Sequence, residues 1–319
     1  MTAAKLSEKD FVERFETLGP TELARQAGSN LTGVFRRRAN LEKKLGRQIK
    51  GPGHIASTRL AEPHPERICL TVTDGVVIVG SDAHYWPGEP STAHRAFVRF
   101  IKEMKPKAVI FNGDAFDGAS ISRHPPIGWT SQPTVQQELE ACQERMHEIA
   151  AAAPRKCRRL WSAGNHDLRF ETRIATVAPQ LAKVTGTSLH DHFPVWESCW
   201  SVFINDDRQG VVVKHRFKGG IHAPYNNALW AGRSMVTGHL HSAKVIPITD
   251  YNGTRYGVDA GCLADTFGKQ FVDYTEDGPR NWISGFCVLT FVRGRLLAPE
   301  LVTVVEPGVV QFRGALHKV

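Results

Sequence analysis

The stretch Val77-Ile-Val-Gly-Ser-Asp-Ala-His84 closes an apolar run with a carboxylate and an imidazole two residues apart. The run, Val76-Val77-Ile78-Val79, does not alternate with polar residues as a strand with one wet face would. It reads as a strand covered on both sides within a layered α/β sheet. In such sheets functional groups gather beyond the carboxyl ends of the strands, where Asp82 and His84 fall.

The pattern recurs downstream. A helical stretch, Ser91–Lys105, precedes a second apolar strand, Ala108-Val-Ile-Phe111, which runs into Asn112-Gly-Asp114-Ala-Phe-Asp117. Another helix, Thr134–Ala153, leads to Arg159-Leu-Trp161 and then Ser162-Ala-Gly164-Asn165-His166-Asp167. Val211-Val-Val-Lys214-His215 and Ser234-Met-Val-Thr237-Gly-His239-Leu-His241 complete the series. One histidine after a strand is an ordinary structural residue. The ordered set Asp-x-His, Gly-Asp-x-x-Asp, Gly-Asn-His-Asp, His and Gly-His-x-His supplies donors for two hard-to-borderline cations.

These five blocks resemble the calcineurin-like metallophosphoesterase superfamily over roughly residues 70–310. The resemblance implies an α/β fold, a two-sheet β-sandwich flanked by helices, with a dinuclear metal centre at the strand ends. Carried over position by position, Asp82, His84 and His241 hold the first metal. Asn165, His215 and His239 hold the second, and Asp114 bridges both. Two such cations about 3.5–4 Å apart acidify a bridging water, whose hydroxide attacks the phosphoester in line. His166 then assists the leaving oxygen, Asp117 orients His166 and favours its charged form, and Asp167 anchors the turn. Many members have Gly directly after the fourth-block His. Here the run is His215-Arg-Phe-Lys-Gly-Gly220, with His222 as a second candidate; His215 is preferred because it ends the strand Val211–Val213. Arg123, His124 and Arg169 flank the blocks as candidates for touching substrate. The mixed N/O donors suit Mn, Fe, Zn or Ni, with Mn²⁺ expected to support activity in vitro.

The 319 residues, 41% hydrophobic and 23% charged, are ordinary for a soluble globular chain. No run of 18 apolar residues predicts a membrane span, and the N-terminus lacks a signal-peptide core. Six scattered cysteines without a CxxC pair read as reduced thiols, so a cytoplasmic location is expected.

Net charge is +8, and residues 1–60 carry 12 Lys/Arg against 6 Asp/Glu, or +6. Phe11, Phe15 and Leu18 predict a helix over Ser7–Leu18, broken by Gly19-Pro20. Thr21 can cap a second helix to Ala27, and Ser29 a third to Leu45, ended by Gly46. Glu22-Leu-Ala-Arg-Gln-Ala-Gly28, followed by Leu31, Val34 and Arg36-Arg-Arg38, resembles small bacterial and phage helix-turn-helix modules. Arg36, Arg37, Arg38, Lys43 and Lys44 on the third helix are the candidate nucleic-acid contacts, DNA before RNA. The domains expected are 1–50 for this module, 51–68 as a Pro/Gly-rich linker and 69–319 for the catalytic part.

A nuclease or nucleic-acid phosphodiesterase is therefore the expected function, because a tethered nucleic-acid module concentrates such a substrate. A small-molecule phosphodiesterase or phosphatase, and a DNA-binding regulator with an inert metal core, are the alternatives. C-terminal strands are expected at Val245–Ile248, Thr254–Tyr256, Phe286–Phe291 and Val302–Val305. The aromatic loop Asp265–Pro279, with Phe267, Phe271 and Tyr274, is expected to bury those rings against the sandwich, with lining a substrate groove as the alternative.

Overall fold

The computed structural model describes residues 6–51, 66–124, 127–128, 131–181, 184–206, 210–276, 278 and 280–319. The expected linker lies largely outside them. The chain divides into two compact units, the smaller reaching from the N-terminus to Pro63.

In the small unit, α1 (Glu8–Gln26) is capped by Ser7, whose hydroxyl accepts the Asp10 N–H. It bends at Gly19, where φ 78 and ψ 169 leave the helical region. Pro20 restarts the helix, because its fixed φ suits a first turn and its missing N–H is not needed there. Thr21 thus lies inside the helix and does not cap it. Ser29 is not the next cap either, because its N–H closes the preceding turn on Ala24 O. Asn30 takes that position in extended backbone and caps α2 (Leu31–Leu45), which ends at a left-handed Gly46. The helical segments enclose a small core of Phe11, Phe15, Leu23, Val34, Leu41 and Ile49.

In the large unit the strands are β1 (Arg67–Leu70), β2 (Gly75–Gly80), β3 (Ala108–Phe111), β4 (Arg158–Ser162), β5 (Glu197–Cys199), β6 (Ser201–Ile204) and β7 (Val211–Val213). They continue as β8 (Ser234–Thr237), β9 (Lys244–Asp250), β10 (Gly253–Asp259), β11 (Gly285–Val292), β12 (Arg295–Leu296), β13 (Glu300–Glu306), β14 (Val309–Phe312) and β15 (Ala315–Lys318). They form two mixed sheets. One has the order β1-β6-β7-β8-β10-β9; the other is β15-β14-β13-β11-β2-β3-β4-β5, with β12 beside β11. The expected C-terminal strands all form.

β2, β3 and β4 run parallel, with Val79 beside Ile110 and Ile110 beside Leu160, so their carboxyl ends line up. The apolar run of β2 is explained by its two neighbours. Val77 and Val79 pack with Ile110, Leu160, Val213 and Val236 between the sheets. Ile78 faces the other way, into a core with Phe97, Ile101, Met146 and Ile149. Those last four come from α3 (Thr92–Met104) and α4 (Val135–Ala152), which cover that face. α5 (Arg169–Val177) follows the third motif block, and α6 (Ala223–Ala231) packs on β8, β9 and β10. Among the described residues no helix is long and apolar enough to cross a membrane. All six cysteines are free, and all but Cys69 are buried.

Candidate metal centre

Three of the five motif blocks leave their strands through turns that no regular strand would make. Asp82, His84, Asp114, His239 and His241 all hold left-handed backbone, with φ between 44 and 70. Non-glycine residues reach that region rarely and at a cost, and they persist where the surroundings over-determine them. Here the turns are tied to one another: Asp82 N–H bonds Gly113 O, His84 N–H bonds Asp114 O, and Asn112 N–H bonds Gly80 O. The three glycines inside the blocks, Gly113, Gly164 and Gly238, answer to close approach. A Cβ on Gly164 would stand 2.1 Å from Asp114 Oδ1, and one on Gly113 would stand 2.4 Å from the His215 ring.

The structure brings the expected ligands together. Asp82, His84 and His241 form one cluster that could hold a metal, and Asp114, His215 and His239 form another. A third, His84, Asp117 and His166, joins the first through His84. His241 Nε2 lies 3.1 Å from Asp82 Oδ1, and His215 Nε2 lies 3.1 Å from Asp114 Oδ2 and 3.3 Å from Asn165 Oδ1. Asp82 also accepts from the Ser81 hydroxyl and from the His239 N–H at 2.9 Å. His239 alone of the expected ligands on these clusters is exposed. His215 is buried in the site, whereas His222 is exposed at the start of α6.

The donors fit divalent cations. His84 Nε2 and His241 Nδ1 are buried with no hydrogen-bond partner among the described residues, an arrangement that wastes polar groups unless an ion takes them. The opposite nitrogen of His84 is occupied, Nδ1 facing Asp117 Oδ1 at 3.0 Å, and on His215 the Nδ1 faces Asn112 O at 2.7 Å. Such partners fix the tautomer and aim the remaining nitrogen at a metal.

The electrostatics point the same way. Burial alone would raise Asp82 and Asp114, but the surrounding histidines, His215 first, together outweigh it and hold both carboxyls below the usual range. Burial would lower His215, yet Asp114 and Asp82 raise it to about 10. Burial followed by histidine neighbours lowers His84 and His239. The centre demands positive charge, which His215 supplies as a proton and a cation would supply better.

Beside the clusters, Asp117 Oδ1 accepts from His166 Nδ1 at 2.7 Å and Trp86 Nε1 donates to Oδ2 at 3.0 Å. Burial works against a charged His166, but the Asp114 charge and the Asp117 hydrogen bond hold its pKa above the ordinary value. Arg169 Nη2 stands 3.2 Å from His166 Nε2, and Nη1 donates to Asp117 O. Asp167 anchors the turn as expected, accepting from the N–H groups of Asp114, Ala115, Phe116 and Gly164 and from Trp161 Nε1. Arg123 and His124 are exposed and lie 3.5 Å from each other.

The aromatic loop divides. Phe271 is buried, its ring 5.2 Å from that of His84, while Phe267 is almost fully exposed; the Tyr274 side chain lies outside the described residues. Trp282, 4.4 Å from His241, completes an apolar wall with Phe271. Neither Trp86 nor Trp282 announces itself in sequence, since no motif spacing includes them.

The five basic candidates of the small unit divide as well. Arg37 donates to Leu6 O and lies over the Phe11 ring, Arg38 pairs with Glu42, and Lys44 pairs with Glu8 at 2.8 Å. Arg36 and Lys43 are exposed and make no ion pair among the described residues.

The family model described as "Calcineurin-like phosphoesterase" matches residues 75–257, which include every expected ligand and exclude the small unit. Among solved structures, wild-type Vps29 complexed with zinc from Entamoeba histolytica is 12% identical, covering 76% of this chain and 98% of its own, with a TM-score of 0.41. A dimetal phosphatase from Danio rerio is 9% identical, covering 73% and 96%, with a TM-score of 0.35. PhoD is 10% identical, covering 81% and 73%, with a TM-score of 0.40. A search of curated protein sequences returned no significant match. With the family model spanning more than half of its length, the chain belongs to the calcineurin-like phosphoesterases.

Proposed function

We propose that this chain is a divalent-metal-dependent phosphodiesterase acting on nucleic acid. In this reading Asp82, His84 and His241 hold one cation, Asn165, His215 and His239 hold the other, and Asp114 is shared. When bound, the two cations neutralise phosphoryl charge and activate water.

The observation that carries catalysis over inert metal binding is the pair His166–Asp117 beside the clusters, with the His166 ring edge-on to His84 at 4.5 Å. Asp117 holds His166 by Nδ1, leaving Nε2 to protonate the leaving oxygen. Arg169 Nη2 stands 3.2 Å from His166 Nε2, so a guanidinium lies beside the atom that would meet the leaving oxygen and can offset its developing negative charge. The hydrogen bonds from His166 and His84 overcome burial and keep Asp117 ionised throughout. Nucleic acid is favoured as substrate by the +6 charge of residues 1–60, with Arg36 and Lys43 exposed on α2.

The test uses the full chain, stripped of metal and reloaded with Mn²⁺, on single- and double-stranded DNA, RNA and bis-p-nitrophenyl phosphate. Cleavage of a nucleic acid that needs Mn²⁺ and falls about 10²- to 10⁴-fold in His166→Ala, with metal content retained, is the expected result. Turnover of the aryl diester alone would move the substrate to a small molecule. Two bound metals without turnover of anything would leave the regulator reading.

A further inference from the structure

Between Gly210 and Thr249 the chain carries Lys214, Arg216, Lys218, Arg233 and Lys244 and not one Asp or Glu. This stretch also supplies His215, His239 and His241, so the absence of acid extends outward from the centre. Arg216 directly follows His215. Two residues further on, Lys218 Nζ lies 4.4 Å from the Trp230 ring and 5.5 Å from the Phe217 ring. Both rings face solvent, Trp230 at 69% exposure and Phe217 at 47%.

The rings are not on a loose loop. Lys218 N–H donates to the side chain of Asn227, which is buried on α6, and the Asn227 amide reaches Thr237 at the end of β8. The turn after His215 is thus tied to the helix that carries Trp230 and to the strand that precedes His239. Large exposed rings fixed in this way are uncommon on a surface with no task for them. The stretch itself carries only cations, of which Arg233 is paired with Asp206 at 2.9 Å, and the remaining positive charge favours an anionic occupant.

We propose that Phe217, Lys218 and Trp230 form a base-stacking subsite for single-stranded nucleic acid leading to the metal centre. Unpaired bases present π-faces that stack on exposed rings, while an adjacent lysine meets the phosphate between them. A duplex keeps those faces covered by its own stacking. The proposal rests on the nucleic-acid reading above and names the strand form that the site takes.

The full-length protein is titrated into fluorescein-labelled dT12 and into a twelve-unit abasic deoxyribose-phosphate strand of equal charge, with fluorescence anisotropy as the readout. Stacking predicts that dT12 binds about tenfold or more tightly than the abasic strand. Phe217→Leu/Trp230→Leu, which keeps apolar cover but removes the rings, loses that preference, while its melting temperature confirms that it is folded. Equal binding of the two strands by the wild type, or a preference retained in the variant, overturns the subsite; so does failure to bind either strand. Self-association abolished by the same variant, with no base preference, would assign the patch to a second copy instead. Base preference is read without turnover. A strand bound through its bases but left uncut would therefore sink the nuclease reading and spare the subsite.

Discussion

Glu138 shows at the scale of one residue how the surroundings of the centre are tuned. It is fully buried on α4; one carboxylate oxygen accepts the Ala119 N–H at 3.1 Å and the other has no partner among the described residues. Burial, and then the nearby Asp117 charge, raise its pKa from an ordinary 4.5 to about 8. The folded protein therefore keeps the proton over a range where the unfolded chain loses it. Its contribution to stability is intact below about pH 4.5 and is lost as pH rises towards 8, by up to about 1.4 kcal/mol per pH unit. Glu138→Gln should flatten that slope, so that urea midpoints of variant and wild type diverge between pH 5 and pH 8, in the variant's favour at pH 8. Sequence gives no hint of this residue, because a Glu four places into a helix after a Thr cap reads as surface. The strand-tip residues were legible for the opposite reason. Asp82, His84, Asp114 and His215 each end an apolar run, where chain direction alone sets their position. Trp86 and Trp282 approach from segments with no such run.

Among the elements, α4 is one whose start was readable to the residue. Thr134 Oγ1 accepts the Gln137 N–H, and Gln137 Oε1 accepts the Thr134 N–H, so two orphan donors of the first turn are satisfied reciprocally. Thr134→Ala should cost about 1 kcal/mol of unfolding free energy, measured by urea denaturation, with the unfolding slope m unchanged. The caps of the small unit were misread at Thr21 and Ser29 because two residues competed for each boundary. Local spacing does not say that Pro20 will take the first helical position, or that Ser29 will be spent closing the previous turn. The ion pairs of α2 were hidden for a related reason. Glu8 and Glu16 meet Lys44 and, just past the helix end, Arg47 across more than thirty residues, a pairing that tertiary packing sets and local spacing does not.

Across the whole molecule, the metal centre and the basic excess are kept apart in sequence, and within the small unit four of the basic side chains are paired with acids. Arg36 and Lys43, exposed on α2, should carry that helix's share of any nucleic-acid affinity. Replacing both with Ala should reduce the slope of log K against log salt by about 1.4 to 1.8, the contribution of two phosphate contacts. Arg38→Ala should leave the slope alone, since its guanidinium is held by Glu42. Anisotropy titrations between 50 and 300 mM salt distinguish the two. A last consequence concerns the strand tips. Five side chains expected to bind metal are held at positive φ, where glycine relaxes and every other residue pays. Selection for thermal hardiness alone, without metal and without substrate, would drift towards glycine at those positions. The hardiest scaffold obtainable from this sequence would be one that had forgotten its chemistry.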